Sequence, residues 1–431
     1  MKVVLIHPPH PNATDDRLDP PLGLLHIAAH LELNNIPVEV MDLAGMDTWE
    51  IPYADIYGLT VYAPSVKIAE KVIDRCRKAN PEAKVIVGGA HPSARPMDFP
   101  FADFVVRGPG ELMMVQIANG QSNYEDPFIF PSYHLIDPLS YSRKIGGKHS
   151  LPMLTSRGCP YKCAFCGLTT MHNLGNFIQA KPKLICEHIE RVQHDFGIDR
   201  IIFHDDVFTV NRDRLFQMLD LIKPLGIKFR CMGRVGCDTE ETYKRLAEAG
   251  CVQVAWGIES GSQEILNRMN KGVTVQDNYN VIQWAKEYGI SSRTFFIIGF
   301  PGETGESLEK TRQFIERADP DQILASNFIP YPGTPVGDNP GFYGITRMTK
   351  DFDQFYQLGK DGTGGMTIDT IWLSKEDMRR LELEFRKWLN IRKPRGELQD
   401  YEKRSYSGVL HAQSGKSGVR EKHQESSVRA D

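Results

Sequence analysis

At 431 residues the chain is long enough for two or three domains, each with its own buried core. Apolar and charged fractions of 41% and 25%, with a formal net charge of −4, leave no basic stripe for a nucleic-acid partner. No apolar run approaches the roughly 20 residues that span a bilayer, and the opening MKVVLIHPPHPN is too short and too proline-broken for a signal peptide; the expectation is a soluble cytoplasmic protein with no membrane or nucleic-acid partner.

In chain order, Val3–Ile6 reads as a short buried strand, 22–33 as an apolar helix, and Val38–Met41 and Ile56–Val61 as further strands. Val66, Ala69, Val72, Ile73 and Cys76 carry the spacing of an amphipathic helix, and Val85–Val87 and Phe104–Val106 run into glycine-rich loops. Strand alternating with helix predicts an α/β domain over residues 1–120, a doubly wound Rossmann-like parallel sheet whose ligand lies at the carboxyl ends of its strands. Residues 121–150 lack periodicity and read as a linker. A second alternating run over 151–330 has strands near Met153–Ser156, Arg200–His204, Lys228–Met232, Gln253–Ile258, Ser292–Ile298 and Gln322–Phe328. Six strand–helix units predict a partial (β/α)6 barrel with its reactive mouth at the strand ends. One helix is expected to start at a capping box of Asp238 and Glu241 and to stop at Gly250. Residues 331–404 form a small helical C-terminal cap region, with Ser374 as N-cap of a helix placing Met378, Leu381, Phe385, Trp388 and Leu389 on one face. From 405 to 431 the composition predicts a disordered tail.

The chain has eight cysteines. Cys76, Cys186, Cys231, Cys237 and Cys251 are scattered and read as small core residues. Cys159, Cys163 and Cys166 are clustered on one loop after the first strand of the barrel. Three thiolates there can hold three irons of a cubane and leave the fourth open to a small molecule. A zinc site is the alternative; it wants a fourth ligand, for which His172 is the candidate. The placement at a ligand-binding face favours iron and sulfur.

The C-x3-C-x2-C spacing, with Phe165 as the aromatic residue before the last cysteine, resembles the hallmark of the radical SAM superfamily. The resemblance runs through the second domain. Phe203–Thr209, with Asp205 and Asp206, resembles the segment that contacts the SAM amino group, Trp256–Ser262 the segment facing its ribose and methionyl part, and Phe296–Thr304 the segment beside its adenine. It implies a [4Fe–4S] cluster on the three cysteines and SAM held by Phe165, Asp205, Asp206, Glu259, Ser260, Gly299 and Pro301. Carboxylates, hydroxyls and close-approach glycines suit a ligand with an ammonium, a sulfonium and a ribose diol.

The first domain resembles the cobalamin-binding domain that precedes such barrels in one large subfamily, through Pro20–Leu24, Gly58–Tyr62, Val87–Pro92 and Val106–Glu111. The residues this implies for the corrinoid are Thr60, Tyr62, Gly88, Gly89, His91, Gly108 and Glu111. No Asp-x-His-x-x-Gly string occurs to place a histidine on cobalt, so a base-off form without that ligand is expected. By resemblance the activity is methylation of an unactivated carbon through a 5′-deoxyadenosyl radical and methylcobalamin. The substrate is expected to be a small molecule or peptide, and the electron donor a flavodoxin or ferredoxin. An oxidative cyclisation or rearrangement with the same cofactors is the alternative. Methylthio transfer would want a second cysteine triad in the first domain, where only Cys76 occurs.

Overall fold

The structure, a computed structural model, describes residues 1–13, 15–46, 48–121, 128–168, 177–357 and 364–391. The strands of its two large sheets are numbered in chain order. The first sheet contains β1 (Val3–His7), β2 (Val38–Asp42), β3 (Ile56–Thr60), β4 (Lys84–Gly88) and β5 (Phe104–Val105), all parallel, in the order β2-β1-β3-β4-β5. This doubly wound order reverses between β1 and β3, where such sheets open a crevice beyond the strand ends. Helices α1 (Leu22–Leu33) and α3 (Glu111–Asn119) cover one face and α2 (Val66–Ala79) the other. The two faces keep separate cores: Val3, Leu5, Ile56 and Ile86 lie with Leu24 and Met114, whereas Val4, Tyr57, Leu59 and Val85 lie with Val72 and Ile73. Alternation of side chains along each strand explains the split, and burial on both sides explains the continuous apolar runs.

The segment expected to be a linker is ordered where it is described. Ser132 donates its backbone N–H to Leu25, and Tyr133, fully buried, gives its hydroxyl to the Pro152 carbonyl. It therefore ties α1 to the start of the second sheet.

That sheet has β6 (Leu151–Met153), β7 (Arg200–Phe203), β8 (Lys228–Gly233), β9 (Cys251–Glu259), β10 (Ser291–Ile298) and β11 (Gln322–Asn327), parallel and in sequential order. Helices α4 (Pro182–Phe196), α5 (Arg212–Ile222), α6 (Glu240–Glu248), α7 (Val275–Glu287) and α8 (Gly305–Ala318) connect the strands, giving the partial barrel. Helix α9 (Lys375–Ile391) follows, with the Ser374 hydroxyl accepting from the Asp377 N–H, and buries Met378, Phe385 and Leu389.

Three sequence expectations are corrected. The first barrel strand stops at Met153; Ser156–Arg157 instead pair antiparallel with Ile178–Gln179, because Thr155 is turned inward to Asp205. Helix α6 is capped by Thr239 with Thr242, not by Asp238 with Glu241; the Asp238 carboxylate is buried and accepts from the Tyr243 hydroxyl at 2.5 Å. Of the scattered cysteines, Cys76, Cys231 and Cys251 are buried, but Cys186 and Cys237 are only half-buried, and the Cys237 sulfur lies 2.7 Å from the Tyr161 hydroxyl. Residues 392–431, including the expected tail, lie outside the described residues.

Candidate functional site

The cysteine loop leaves β6 through a buried strut. The Asp205 carboxylate, with no exposed surface, accepts from the Thr155 N–H and the Ser156 hydroxyl at 2.6 Å each. Arg214 donates to the Thr155 and Ala180 carbonyls at 2.7 and 2.8 Å from the other side. Burial is the largest influence on Asp205 and pushes its carboxyl up, while these donors pull it down. Asp205 is thus occupied in shaping the backbone that leads into the loop. Its neighbour Asp206 accepts from the Gly158 N–H at 2.9 Å, beside the first cysteine.

Gly158 takes φ +79°, a turn that favours glycine. The loop is then pinned from two sides: after β9, Ala164 donates its N–H to Met269 and Asn270 donates to the Lys162 carbonyl; after β8, Arg234 reaches both the Lys271 carbonyl and Cys163. Cys163 is buried, and Cys159 and Cys166 are half-buried. Burial raises the Cys159 and Cys166 thiols, the latter to about 12; Cys163 raises Cys159 further, and Cys163 and Cys159 raise Cys166. Among the described residues no three His, Cys, Asp or Glu side chains converge as they would on one metal ion. A cubane makes no such demand, because each thiolate takes a different iron. The donor set fits the cluster better than zinc; His172 lies outside the described residues.

Two cavities flank this loop. One, of about 340 Å³, runs between the first sheet and α1/α3, and Thr60, Gly88, Gly89, Gly108 and Glu111 line it. Gly88 is the open part of this cradle: a Cβ there would meet nothing nearer than Val106 at 3.7 Å. Gly23 likewise has no heavy atom within 4 Å of such a Cβ. The far wall comes from Arg157, Cys159 and Asp206. Arg157 forms an ion pair with Glu111 that joins the start of α3 to the cysteine loop. These glycine-walled surfaces fit a bulky ligand threaded along the sheet.

The second cavity, of about 890 Å³, fills the barrel. Tyr62 and His91 line it rather than the smaller one, together with Cys166, Arg230, Arg293 and Tyr356. His91 is almost wholly buried, its ring nitrogen 3.0 Å from Asp98 and its ring edge-on to Phe99 and Phe352. That packing makes it part of the wall holding the first domain to the cap region. The cysteine loop stands between the cavities, with Cys159 on one side, Cys166 on the other and Leu168 touching both.

The remaining residues expected to contact SAM cluster on another side of the loop. Phe165 is edge-on to Phe300, and the Lys271 ammonium lies 5.8 Å from its ring. Glu259 has φ +67° at a break in the β9–β10 register and pairs with Lys271 at 2.9 Å. Ser260 is buried, 3.3 Å from the Thr311 hydroxyl. The Gly299 N–H donates to Glu303, and the Pro301 carbonyl accepts from Arg268 at 3.0 Å. None of these five lines either of the two cavities. Arg157, Arg234 and Lys271 are the residues that sequence reasoning missed. Only the position of Arg157 beside the triad signalled one of them.

Burial pushes the Glu303 carboxyl up to about 7, against a single lowering bond from Gly299. The folded chain therefore holds a proton on Glu303 that the unfolded chain, near 4.5, releases. Stability supplied by the protonated form is full below about 4.5 and is lost as pH rises through about 7. Glu303→Gln is expected to flatten that slope in denaturant midpoints measured between pH 5 and 8; an unchanged slope would remove Glu303 as its source.

Comparison with known proteins agrees with this geometry. A family model described as the radical SAM superfamily matches residues 153–315, and one described as the B12 binding domain matches 18–118. An uncharacterized methyltransferase of Pyrococcus horikoshii, PH0819, is 30% identical over 78% of this chain and 82% of its own length. The anaerobic magnesium-protoporphyrin IX monomethyl ester cyclase of Rubrivivax gelatinosus is 26% identical over 77% and 68%. Among solved structures, the radical SAM methyltransferase TsrM of Kitasatospora setae, with cobalamin and a [4Fe–4S] cluster bound, matches with a TM-score of 0.66 at 17% identity, covering 95% of this chain and 99% of that one. The cofactors are accordingly a [4Fe–4S] cluster, SAM and cobalamin. This chain belongs to the radical SAM superfamily, in the branch that carries a B12-binding domain ahead of the radical SAM barrel.

Proposed function

We propose that the chain is a C-methyltransferase acting on an unactivated carbon of a small-molecule or peptide substrate. The observation that carries this reading is the cysteine loop standing as a common wall between a glycine-lined cavity in the B12-binding domain and the larger barrel cavity. When bound, the cofactors supply a carbon-centred oxidant and a transferable methyl group. The chain's own part is positional. Cys159, Cys163 and Cys166 hold the cluster, and Asp206, Glu259, Ser260, Phe165, Gly299 and Pro301 are the proposed SAM surface. Thr60, Gly88, Gly89, Gly108 and Glu111 are the proposed corrinoid cradle. Holding both groups against one bound substrate converts collisions into fixed geometry. Within this reading the domains run over 1–120 and 151–330, the compartment is the cytoplasm and the reductant is a flavodoxin or ferredoxin. Among the described residues, no helix is long and apolar enough to cross a membrane.

The test needs no substrate. The anaerobically reconstituted, reduced protein is incubated with cobalamin and SAM carrying a deuterated methyl group. Labelled methylcobalamin with S-adenosylhomocysteine supports methyl transfer. 5′-Deoxyadenosine without either product would sink it and leave cyclisation or rearrangement.

A further inference from the structure

Arg234, the first residue beyond β8, is buried beside the cysteine loop with 8% of its surface exposed. Three contacts fix its guanidinium. One Nη donates to the Cys163 sulfur at 3.7 Å, the other donates to the Lys271 carbonyl at 2.5 Å, and its Cζ lies over the Tyr161 ring, 3.6 Å from the centre. The nearby Lys271 ammonium is paired with Glu259; Arg234 spends no donor on a carboxylate among the described residues. A full positive charge is thus held against the most buried sulfur of the triad.

We propose that Arg234 is a positioning residue that raises the reduction potential of the cluster through Cys163. Reduction adds one electron, supplied by the external donor, to a centre that already carries thiolate charge. A fixed cation and an N–H donor at one sulfur stabilise the reduced state more than the oxidised one. Weak screening in the buried site strengthens the effect. Lysine would keep the charge and lose the planar fork that stacks on Tyr161.

The inference rests on the triad holding the cluster, and the experiment separates the two. Wild-type, Arg234→Gln and Arg234→Lys proteins are reconstituted anaerobically, assayed for iron and sulfide, and titrated spectroelectrochemically. A wild-type protein that takes up no cluster overturns the cluster reading itself. With clusters present, the expected result is a midpoint shifted to more negative potential in Arg234→Gln and retained in Arg234→Lys. If Arg234→Gln loses its iron, a wild-type potential in Arg234→Lys supports the proposal. An unchanged potential in Arg234→Gln, a shifted one in Arg234→Lys, or loss of iron from both variants overturns it and leaves Arg234 as a loop clamp.

Discussion

Cys163→Ala protein is expected to bind cobalamin as the cluster-free wild type does and to form no 5′-deoxyadenosine from SAM. Cys163 is the middle thiol of the triad, and its removal leaves sulfur for two irons at most. The substitution spares the loop's backbone, because the bonds pinning it run through Ala164 N–H, the Lys162 carbonyl and the Cys166 N–H. Only the Arg234 contact with sulfur is lost. The melting temperature of the cofactor-free protein should therefore stay close to wild type while iron content falls. Cys186→Ala is the matched control: that thiol sits half-buried on α4, within reach of the Leu221 carbonyl and far along the chain from the loop. Deoxyadenosine formation at the wild-type rate in the Cys163 variant would remove the triad from the chemistry.

Gly88→Leu should abolish cobalamin retention in a protein that still assembles the cluster. Its Cβ meets only Val106, at ordinary contact distance, so the side chain can be built without moving backbone. The rest of the leucine then projects into the 340 Å³ cavity that Gly88 lines. Overpacking a fitted site costs up to about 3 kcal/mol, which corresponds to a loss of affinity on the order of a hundredfold. Equilibrium dialysis with hydroxocobalamin measures it, and iron content, compared with that of cobalamin-free wild type, serves as the internal standard. Gly89→Ala differs in kind. Gly89 has φ +104°, and a Cβ would lie 2.9 Å from the Thr60 hydroxyl and 3.0 Å from the Val61 N and O atoms. That variant should lose on the order of 1–3 kcal/mol of stability before its effect on binding can be read. Undiminished cobalamin binding by a folded Gly88→Leu protein would move the corrinoid out of this cavity.

Both sheets were legible because parallel strands buried on two faces must be apolar throughout, and glycine-rich loops punctuate them. The ends of elements were less so. Thr239 rather than Asp238 caps α6 because Asp238 finds a better partner in Tyr243, which no local pattern announces. The paired acids Asp205 and Asp206 resemble each other in sequence, yet one is a strut under Thr155 and the other faces Gly158 at the small cavity. Which carboxylate turns inward depends on a partner about fifty positions away. His91 followed the same rule: the resemblance set it beside the corrinoid, and its partner Asp98 with the ring of Phe352 packs it into the wall. Arg157 and Arg234 carry no motif of their own. Their meaning lies in Glu111 and Cys163, contacts across the fold that spacing does not encode.

The Arg157–Glu111 ion pair joins the two proposed cofactor sites. Glu111 opens the helix that walls the proposed corrinoid cavity, and Arg157 stands two residues before Cys159. A ligand that orders either end of this bridge restricts the other in advance. The coupling must be reciprocal: whatever factor cobalamin adds to the retention of the cluster, the cluster adds to the retention of cobalamin. Cutting the bridge should shrink that shared factor, leaving only what passes through Cys159, which lines the same cavity.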